Sequence, residues 1–425
     1  MRTNILWLTT ELPDTVHHGG VLRLVNLARE LGDLGDSYLV ALNGAEGSLE
    51  GIRRLGIFKE ILVLEPPQGR PNPARHLRWS NTHIAQRGHP KYFRQTAEKL
   101  SAWITTREIQ VGVAFTLLAA EFLEALPCKV RVVDDYDCVT LTLERHALVG
   151  ARSRNPLLRL SELIHYWRTR RLEGSLTSRF DLVTTISHAD QARLKQLSKT
   201  RADAVQVVKN GVEERLLSFR NTSIEERNAV IFWGNLAFPP NYHAVHFFFN
   251  EIFKPHLEPR GVRWHIVGAR ADASIRRLAS ASEQIELVGF VPDLAAYVSR
   301  IPVMVNPMIS GSGLKNKVLE AFALRRAVVS TAMGIEAIQA VAGKHYFEAD
   351  DPENFAAHVT SLLDNQELRS HLTEQAYSFV LSHYRWKAIG NGLRDLIAAR
   401  LESPRPSLPR AATRAARRRA AARAE

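Results

Sequence analysis

The sequence predicts an α/β protein made of two domains, each a parallel sheet covered by helices. Short apolar strand patterns alternate with helical patterns, which is typical of parallel sheets with helices on both faces. A length of 425 residues exceeds one ordinary core and suits two domains with extensions. The clearest unit, residues 303–336, runs strand, glycine turn, helix, strand, which is the order of a βαβ motif.

The predicted elements follow one another as short apolar runs bounded by polar or glycine-containing segments. In the first half, strand patterns occupy 4–12, 38–42, 61–64, 111–115, 130–133 and 181–187. A further strand pattern, 205–214, leads from the first half into the second. In the second half, they occupy 230–233, 264–267, 286–289, 303–306 and 327–331. Helical patterns at 352–363, 367–384 and 386–401 complete the order.

The glycine turn of the 303–336 unit is the strongest candidate for a ligand site. Gly311 and Gly313 lie between its first strand and a helix predicted over 314–325. Such a turn directs free backbone N–H groups and the positive end of the helix dipole towards an anion. Short glycine motifs are frequent, however, and an ordinary tight turn is the alternative interpretation.

Three charged side chains follow this turn. Lys315 and Lys317 bring cationic donors to a helix start, where acidic residues are normally favoured, and this indicates that an anion binds there. Glu320 lies three residues after Lys317 on the same helix face, where a carboxylate suits hydrogen bonds to sugar hydroxyls. The alternative is a solvated Lys–Glu pair.

A second glycine pair lies near the N-terminus. Gly19 and Gly20 separate the strand at 4–12 from a helix that runs to about residue 31. Glycine permits close backbone approach by a ligand, although a simple tight turn gives the same pattern.

Three aspartates follow the strand at 130–133, where functional residues of parallel sheets collect. Asp134, Asp135 and Asp137 can cap the next helix, hold a metal ion or act as a base. The sequence leaves these alternatives open.

Composition narrows the class of protein. A hydrophobic content of 45% with 24% charged residues is that of a soluble globular protein, and the apolar runs fall short of the ~18 residues that span a bilayer. The N-terminal run predicts a strand and not a signal peptide. Cys128 and Cys138 are the two cysteines, which argues against a disulfide framework and favours the cytoplasm.

The net charge of +12 is concentrated in two basic zones. The segment 403–425 holds seven Arg and one acid and is expected to be disordered. Residues 145–180 hold eight Arg and two Glu, with a helical pattern over 156–179 whose apolar stripe is expected to face the core. A solvated charge run ranks first for both zones, an anionic membrane surface second and nucleic acid third.

The segments GSGLKNKVLEAFA and AVVSTAMGIEAI resemble the donor site of family 4 glycosyltransferases, most closely the bacterial exopolysaccharide and PEP-CTERM-associated sugar transferases. The resemblance implies the GT-B fold, with two Rossmann-like domains facing a cleft. It divides the chain into an acceptor-side domain (1–207), a nucleotide-sugar domain (208–385), a crossover helix (386–402) and a basic tail (403–425).

This resemblance also implies a retaining transfer from a nucleotide-diphosphate sugar to a lipid-linked or growing polysaccharide acceptor, with no cofactor and no obligatory metal. The enzyme would be cytoplasmic and peripheral at the inner face of the plasma membrane. A GT-B-like nucleotide-sugar epimerase and a non-catalytic protein that binds nucleic acid or membrane through its tail are the alternatives. Steep salt dependence of nucleic-acid binding would favour the latter.

Site residues follow from matching the motifs position by position. The catalytic candidates are Asp137, Lys317 and Glu320. The donor-binding candidates are Gly19, Gly20, Asn235, Asn241, Val291, Gly311, Ser312, Gly313, Leu314, Lys315, Lys317 and Glu320. The acceptor-side candidates are Asp134, Asp137 and Arg23.

Two positions depart from the family pattern. Ser312 lies eight positions before Glu320, in a region where the family often has a first glutamate, which bears on how the donor sugar is held. Asn235 and Asn241 lie where many members have an Arg and a Lys that hold the diphosphate. Phosphate neutralisation would then depend on Lys315, Lys317 and backbone amides.

Overall fold

The computed structural model describes residues 2–12, 19–43, 49–69, 83–148, 156–220, 224–311 and 313–403. The donor-site candidate Ser312 and the tail from residue 404 lie outside these ranges.

The first domain is built on a seven-stranded parallel sheet. Its strands are β1 (Asn4–Glu11), β2 (Ser37–Asn43), β3 (Phe58–Val63), β4 (Ile109–Ala114), β5 (Val130–Asp134), β6 (Leu182–Thr185) and β7 (Val205–Val207). They are arranged in the order β3-β2-β1-β4-β5-β6-β7. Four successive β1 residues, Ile5 to Leu8, are fully buried, because helices cover both faces of the sheet.

The helices of this domain fill the connections between its strands. They are α1 (Gly19–Glu30), α2 (Leu49–Arg54), α3 (Ile84–Gly88), α4 (Pro90–Thr106), α5 (Leu117–Glu124), α6 (Val139–Leu148), α7 (Pro156–Glu173), α8 (Leu176–Arg179) and α9 (His188–Leu197). A short helix, α10 (Glu214–Leu217), follows the connection to the second domain.

The second domain repeats this plan on six parallel strands. These are β8 (Ala229–Trp233), β9 (Arg263–Val267), β10 (Ile285–Gly289), β11 (Val303–Asn306), β12 (Ala327–Ser330) and β13 (Phe347–Glu348), in the order β10-β9-β8-β11-β12-β13. Its helices are α11 (Pro239–Phe247) with a π-helical continuation (Phe248–Leu257), α12 (Ala273–Ala279), α13 (Leu294–Val298), α14 (Asn316–Ala323), α15 (Ala332–Ile335), α16 (Pro352–Asp364) and α17 (Gln366–His383).

The last described helix, α18 (Trp386–Glu402), lies against the first domain. Its Trp386, Leu393 and Ile397 are buried in the apolar layer that also contains strand β1. At Gly390, an added Cβ would lie 2.2 Å from Cβ of Glu30 on α1, so the two helices pack closely. The chain therefore crosses from the second domain back to the first.

Helix α14 begins two residues later than the sequence predicts. Gly313 has a φ of 72°, and Lys315 occupies the N-cap position with an extended backbone. Because the extended backbone of Lys315 is not helical, the turn continues to Lys315 and the helix begins at Asn316. Lys315 therefore precedes the helix, whereas Lys317 lies in its first turn.

Helix α7 corrects the expectation that its apolar stripe faces the core. Leu160, Leu163 and Trp167 are 56%, 51% and 48% exposed. Leu172 and Glu173, in the last turn, are buried. The helix packs into the domain through its C-terminal end, and its middle projects the stripe outwards.

A buried ion pair ties α1 to the connection between the domains. The Arg23 guanidinium binds both carboxylate oxygens of Asp134, at 2.7 and 2.8 Å, and donates to the carbonyls of Val208 and Lys209. It also donates to Oδ1 of Asn210 at 3.0 Å. Because each guanidinium nitrogen has an acceptor, this charge is satisfied without water.

We expect Asp134→Asn to lower the free energy of unfolding by about 3–5 kcal/mol, because it leaves the Arg23 charge buried without a counter-ion. Urea denaturation measures this change. Arg394→Ala is the control, because Arg394 lies 3.8 Å from Asp33 at the surface and its loss is expected to cost less than about 1 kcal/mol. Equal losses for both variants would contradict a supporting role for the buried pair.

Candidate active site

A cleft of about 430 Å³ lies between the connection from the first domain and the carboxyl ends of the second sheet. Its walls combine backbone, aromatic and charged groups. They include Leu22, Gly211, Glu213, Trp233, Gly234, Asn235, Arg270, Phe290, Val291, Asn316, Lys317 and Glu320. Four donor-site candidates, Asn235, Val291, Lys317 and Glu320, therefore lie together. Carboxyl ends of parallel strands are where open α/β sheets bind ligands.

Lys317 is one of the cations that line this cleft, together with Arg215 and Arg270. Its Nζ donates to Oδ1 of Asn241 at 2.7 Å and lies 4.0 Å from the centre of the Phe232 ring. Burial lowers its pKa to about 7, Lys315 acts in the same direction, and Glu320 opposes them. The ammonium has no direct carboxylate partner among the contacts of the described residues. An anion in the cleft would supply the missing counter-charge.

Asn241 holds the turn that forms the wall beside Lys317. Its Nδ2 donates to the carbonyl of Asn235 at 2.9 Å, while its Oδ1 accepts from Lys317. The turn also requires glycine, because a Cβ at Gly268 would lie 1.8 Å from the carbonyl oxygen of Gly234. The amide side chain of Asn241 therefore positions the Lys317 ammonium.

Glu320 lies one turn further along α14. Its Oε2 accepts a hydrogen bond from Nε1 of Trp233 at 3.0 Å. Burial raises the pKa of this carboxyl, and the Trp233 hydrogen bond and Lys317 oppose that effect. Trp233 thus holds the carboxyl group in the cleft wall, where it can meet a ligand hydroxyl.

The far end of the cleft is formed by the loops after β9 and β10. Phe290 is 62% exposed at the rim, beside Val291. Arg270 lines the same end with a φ of 64°. Sequence reasoning missed Arg270, Glu213 and Trp233 as cleft residues, because loop residues and a strand end carry no local signal of their neighbours.

The turn before α14 meets the first domain at Asp137. A Cβ at Gly313 would lie 2.3 Å from Oδ1 of Asp137, so this approach requires glycine. Lys315 is also at this junction, and its Nζ donates to the carbonyl of Gly313 at 2.9 Å. Leu314 is buried in the core beneath.

The charges at this junction shift one another's pKa values. Burial and the nearby Asp190 raise the pKa of Asp137 to about 6, against the opposing effects of Lys315 and Arg23. Burial lowers the pKa of Lys315 to about 8, while Asp137 and Glu336 oppose it. A carboxyl group that titrates near neutrality beside cationic groups can accept a proton in a reaction.

Other polar contacts also join the domains near this junction. The Arg145 guanidinium makes two hydrogen bonds to Glu336, at 2.6 and 2.8 Å. Nδ2 of Asn210 donates to Oδ1 of Asn316 at 3.2 Å. These contacts hold the two sides of the cleft together in this structure.

The remaining first-domain candidates lie around the carboxyl end of strand β5. Gly19 and Gly20 begin α1, and a Cβ at Gly20 would lie 3.5 Å from the Tyr136 hydroxyl oxygen. Arg23 and Asp134 are 1% and 2% exposed. Their placement differs from the expected acceptor-side surface, because each side chain is turned inwards to pair with the other.

Gly311 lies at the other side of the glycine turn. It has a φ of 105°, and an added Cβ would lie 3.0 Å from Cγ of Pro240. The turn therefore packs against the start of α11 as well as against Asp137. Among the described residues, no group of three or more His, Cys, Asp or Glu is arranged to hold a metal ion.

Comparison with known proteins bears on the second domain and on the fold. Residues 227–365 match the family model described as Glycosyl transferases group 1. A Klebsiella pneumoniae protein described as an uncharacterized 44.6 kDa protein in the cps region is 27% identical over 168 residues. The match covers 38% of this chain and 43% of that relative, so the chain spans less than half of its length.

Solved structures match nearly the whole chain at low identity. Anabaena HepE in complex with UDP-glucose has a TM-score of 0.66 at 14% identity and covers 93% of this chain and 99% of its own. TarM of S. aureus has a TM-score of 0.67 at 10% identity, with the same coverage. WaaG, described as a glycosyltransferase involved in lipopolysaccharide biosynthesis, has a TM-score of 0.62 at 12% identity, also with the same coverage.

Two parallel sheets that face a cleft and a helix that returns to the first domain define the GT-B fold, and the predicted fold class is confirmed. The match of residues 227–365 to the family model described as Glycosyl transferases group 1 confirms the resemblance for the second domain.

Proposed function

We propose that the protein transfers a sugar, with retention of configuration, from a nucleotide-diphosphate sugar to a hydroxyl of a lipid-linked or growing polysaccharide. The single observation that carries this proposal is Lys317, a cation without a carboxylate partner among its described contacts, beside Glu320 in the cleft. The cps-region relative and the UDP-glucose complex of HepE support a donor of this class and a glycan product.

The chemistry follows from where charge develops. As the bond between the sugar and the diphosphate breaks, negative charge grows on the leaving oxygen, and Lys317, Lys315 and the N–H groups at the start of α14 stabilise it. Glu320 binds a hydroxyl of the donor. The acceptor hydroxyl attacks from the side on which the diphosphate leaves, and its proton passes to Asp137, which lies across the junction from Gly313.

Thermal melting with UDP-, GDP-, ADP- and dTDP-sugars tests the donor class. A donor present at about 100 times its dissociation constant should add about 2.7 kcal/mol of stability. We expect a rise in melting temperature with one nucleotide, UDP being the first choice, and its loss in Lys317→Ala. Folded protein that melts identically with all four donors would contradict the proposal.

Asp137 gives the reaction an expected pH dependence. Its pKa of about 6 means that the carboxylate form predominates above pH 6, so kcat/KM should fall tenfold for each pH unit below that value. Asp137→Asn should lower kcat by about 100-fold and remove this acid limb. Asp203→Asn, at an exposed position, should keep the wild-type profile. An acid limb that persists in Asp137→Asn would assign proton acceptance to another group.

Membrane association belongs to the same proposal. No helix within the described ranges is long and apolar enough to cross a membrane. We propose that a lipid-linked acceptor is reached through a peripheral contact with the membrane surface.

A further inference from the structure

Helix α7 carries exposed apolar side chains that the site does not use. Leu160, Leu163 and Trp167 are 56%, 51% and 48% exposed. With 3.6 residues in each helical turn, these positions fall within an arc of about 60° on one face. Three large apolar side chains so close together form a continuous stripe, which is a different feature from scattered surface leucines.

Arginines flank this stripe on both sides. Helical spacing places Arg159 and Arg170 along one edge and Arg171 along the other. The Arg170 guanidinium carbon lies 5.2 Å from the centre of the Trp167 ring, so cation and indole share the surface. The two acids on the helix, Glu162 and Glu173, are about 100° and about 80° away from the stripe around the helix axis, and Glu173 is buried. Apolar residues edged by cations match an anionic lipid interface.

The same helix ends beneath the proposed acceptor side. The Glu173 carboxylate accepts hydrogen bonds from the backbone N–H groups of Val139 and Thr140, at 2.6 and 3.1 Å, two and three residues after Asp137. Tyr166 donates to Glu144 on α6 at 2.7 Å. Trp167 lies six residues from Glu173, which is about 9 Å along the helix axis. A surface bound at the stripe would therefore lie close to the acceptor end of the cleft.

We propose that the α7 stripe, defined as Leu160, Leu163 and Trp167 with Arg159, Arg170 and Arg171, binds the surface of an anionic lipid bilayer. The inference rests on the proposed function, since a bilayer at this place would present a lipid-linked acceptor to the cleft. The positive charge of the stripe favours anionic lipid over a second copy of the chain as its partner. A symmetric pairing through the stripe would bring the same arginines together, whereas anionic headgroups neutralise them.

Co-sedimentation of the full chain with lipid vesicles tests this inference. We expect at least about tenfold stronger binding to vesicles with about 30% phosphatidylglycerol than to pure phosphatidylcholine. The triple change Leu160→Ser, Leu163→Ser and Trp167→Ser should weaken binding to the anionic vesicles at least about tenfold, although the basic tail is intact. Adding vesicles to the wild type should shift its tryptophan fluorescence to shorter wavelength. This shift should be smaller in the Trp167→Phe variant.

A matched control removes exposed apolar surface elsewhere. The triple change Ile224→Ser, Val341→Ser and Leu381→Ser alters residues that are 94%, 55% and 39% exposed in the second domain, and it should bind vesicles as the wild type does. Equal binding by the α7 triple variant and the wild type would overturn the inference. So would a wild-type dimer that the α7 changes dissociate while vesicle binding persists.

The nucleotide site gives a separate readout. The α7 triple variant should keep the full rise in melting temperature with the donor, because the stripe is outside the cleft. Loss of vesicle binding with an intact donor response would support the surface and the donor site independently. An absent donor response in the wild type would refute the proposed function, whereas vesicle binding that depends on the stripe would still support the lipid surface.

Discussion

Lys317→Ala should weaken binding of a nucleotide-diphosphate sugar by about 100-fold or more. The lysine is half-buried, is held by Asn241 at 2.7 Å, and lines the cleft together with Glu320. Truncating one partner of a buried charge pair costs about 2–5 kcal/mol, and each 1.4 kcal/mol is about a tenfold change. Isothermal titration calorimetry with the donor identified by melting measures the effect.

The affinity should also depend on pH. Since the pKa of Lys317 in the free protein is about 7, this side chain loses its charge as the pH rises above 7. A bound diphosphate favours the ammonium and raises that pKa, so binding takes up a proton above pH 7. The association constant should therefore decrease as the pH rises from about 7 to 8, with a slope that approaches about tenfold per pH unit. Lys315 has a pKa of about 8, so the loss of its charge should lower the donor affinity further above pH 8.

The control is Lys344→Ala, which removes an exposed lysine from the same domain. It should leave both the affinity and its pH dependence unchanged. Lys317→Ala should bind with nearly constant affinity between about pH 7 and 8, because the titrating group is gone. If it retains the wild-type pH dependence, the proton that is taken up on binding belongs to another group.

Gly313→Ala should lower turnover by about 100-fold while changing donor affinity less than about tenfold. The added Cβ would lie 2.3 Å from Oδ1 of Asp137, so either the Asp137 carboxylate must turn away or the two domains must separate at the junction. A displacement of about 1 Å between reacting groups can lower a rate by about 100-fold. Donor binding depends chiefly on Lys317 and Glu320, which lie on the second domain. Steady-state kinetics and calorimetry together separate the two effects.

Gly343→Ala separates this effect from backbone strain. Gly343 has a φ of 75°, close to the 72° of Gly313, and no heavy atom lies within 4 Å of the position that an added Cβ would take. Both variants incur a left-handed backbone cost of about 1–2 kcal/mol, but only Gly313→Ala meets the first domain. Equal kinetic losses in the two variants would show that backbone strain, and not a displacement at the contact with Asp137, is responsible.

The fold class follows from the sequence because its signals are local. Buried parallel strands are continuous apolar runs, as in β1, and the glycine turn before α14 is visible as a motif. The order of these elements along the chain is enough to predict two α/β units. The same local motif indicates Lys315, Lys317 and Glu320 as ligand-facing candidates from the order of residue types alone.

The details of the site depend on contacts between distant parts of the chain. Arg23 pairs with Asp134, 111 residues away, and this pairing turns both side chains inwards. Asp137 meets Gly313 from the other domain. No periodic pattern records such contacts, because they arise when separately formed elements pack together.

Helix α7 shows the same division. The sequence by itself determined that the helix has an apolar stripe beside arginines, because side-chain direction follows from helical spacing. Only the tertiary structure decided that the stripe faces outwards, since the burial of a helix face depends on which neighbours cover it. Local chemistry thus determined the class of protein and its candidate anion site, and packing determined which charged and apolar groups remain available to a partner.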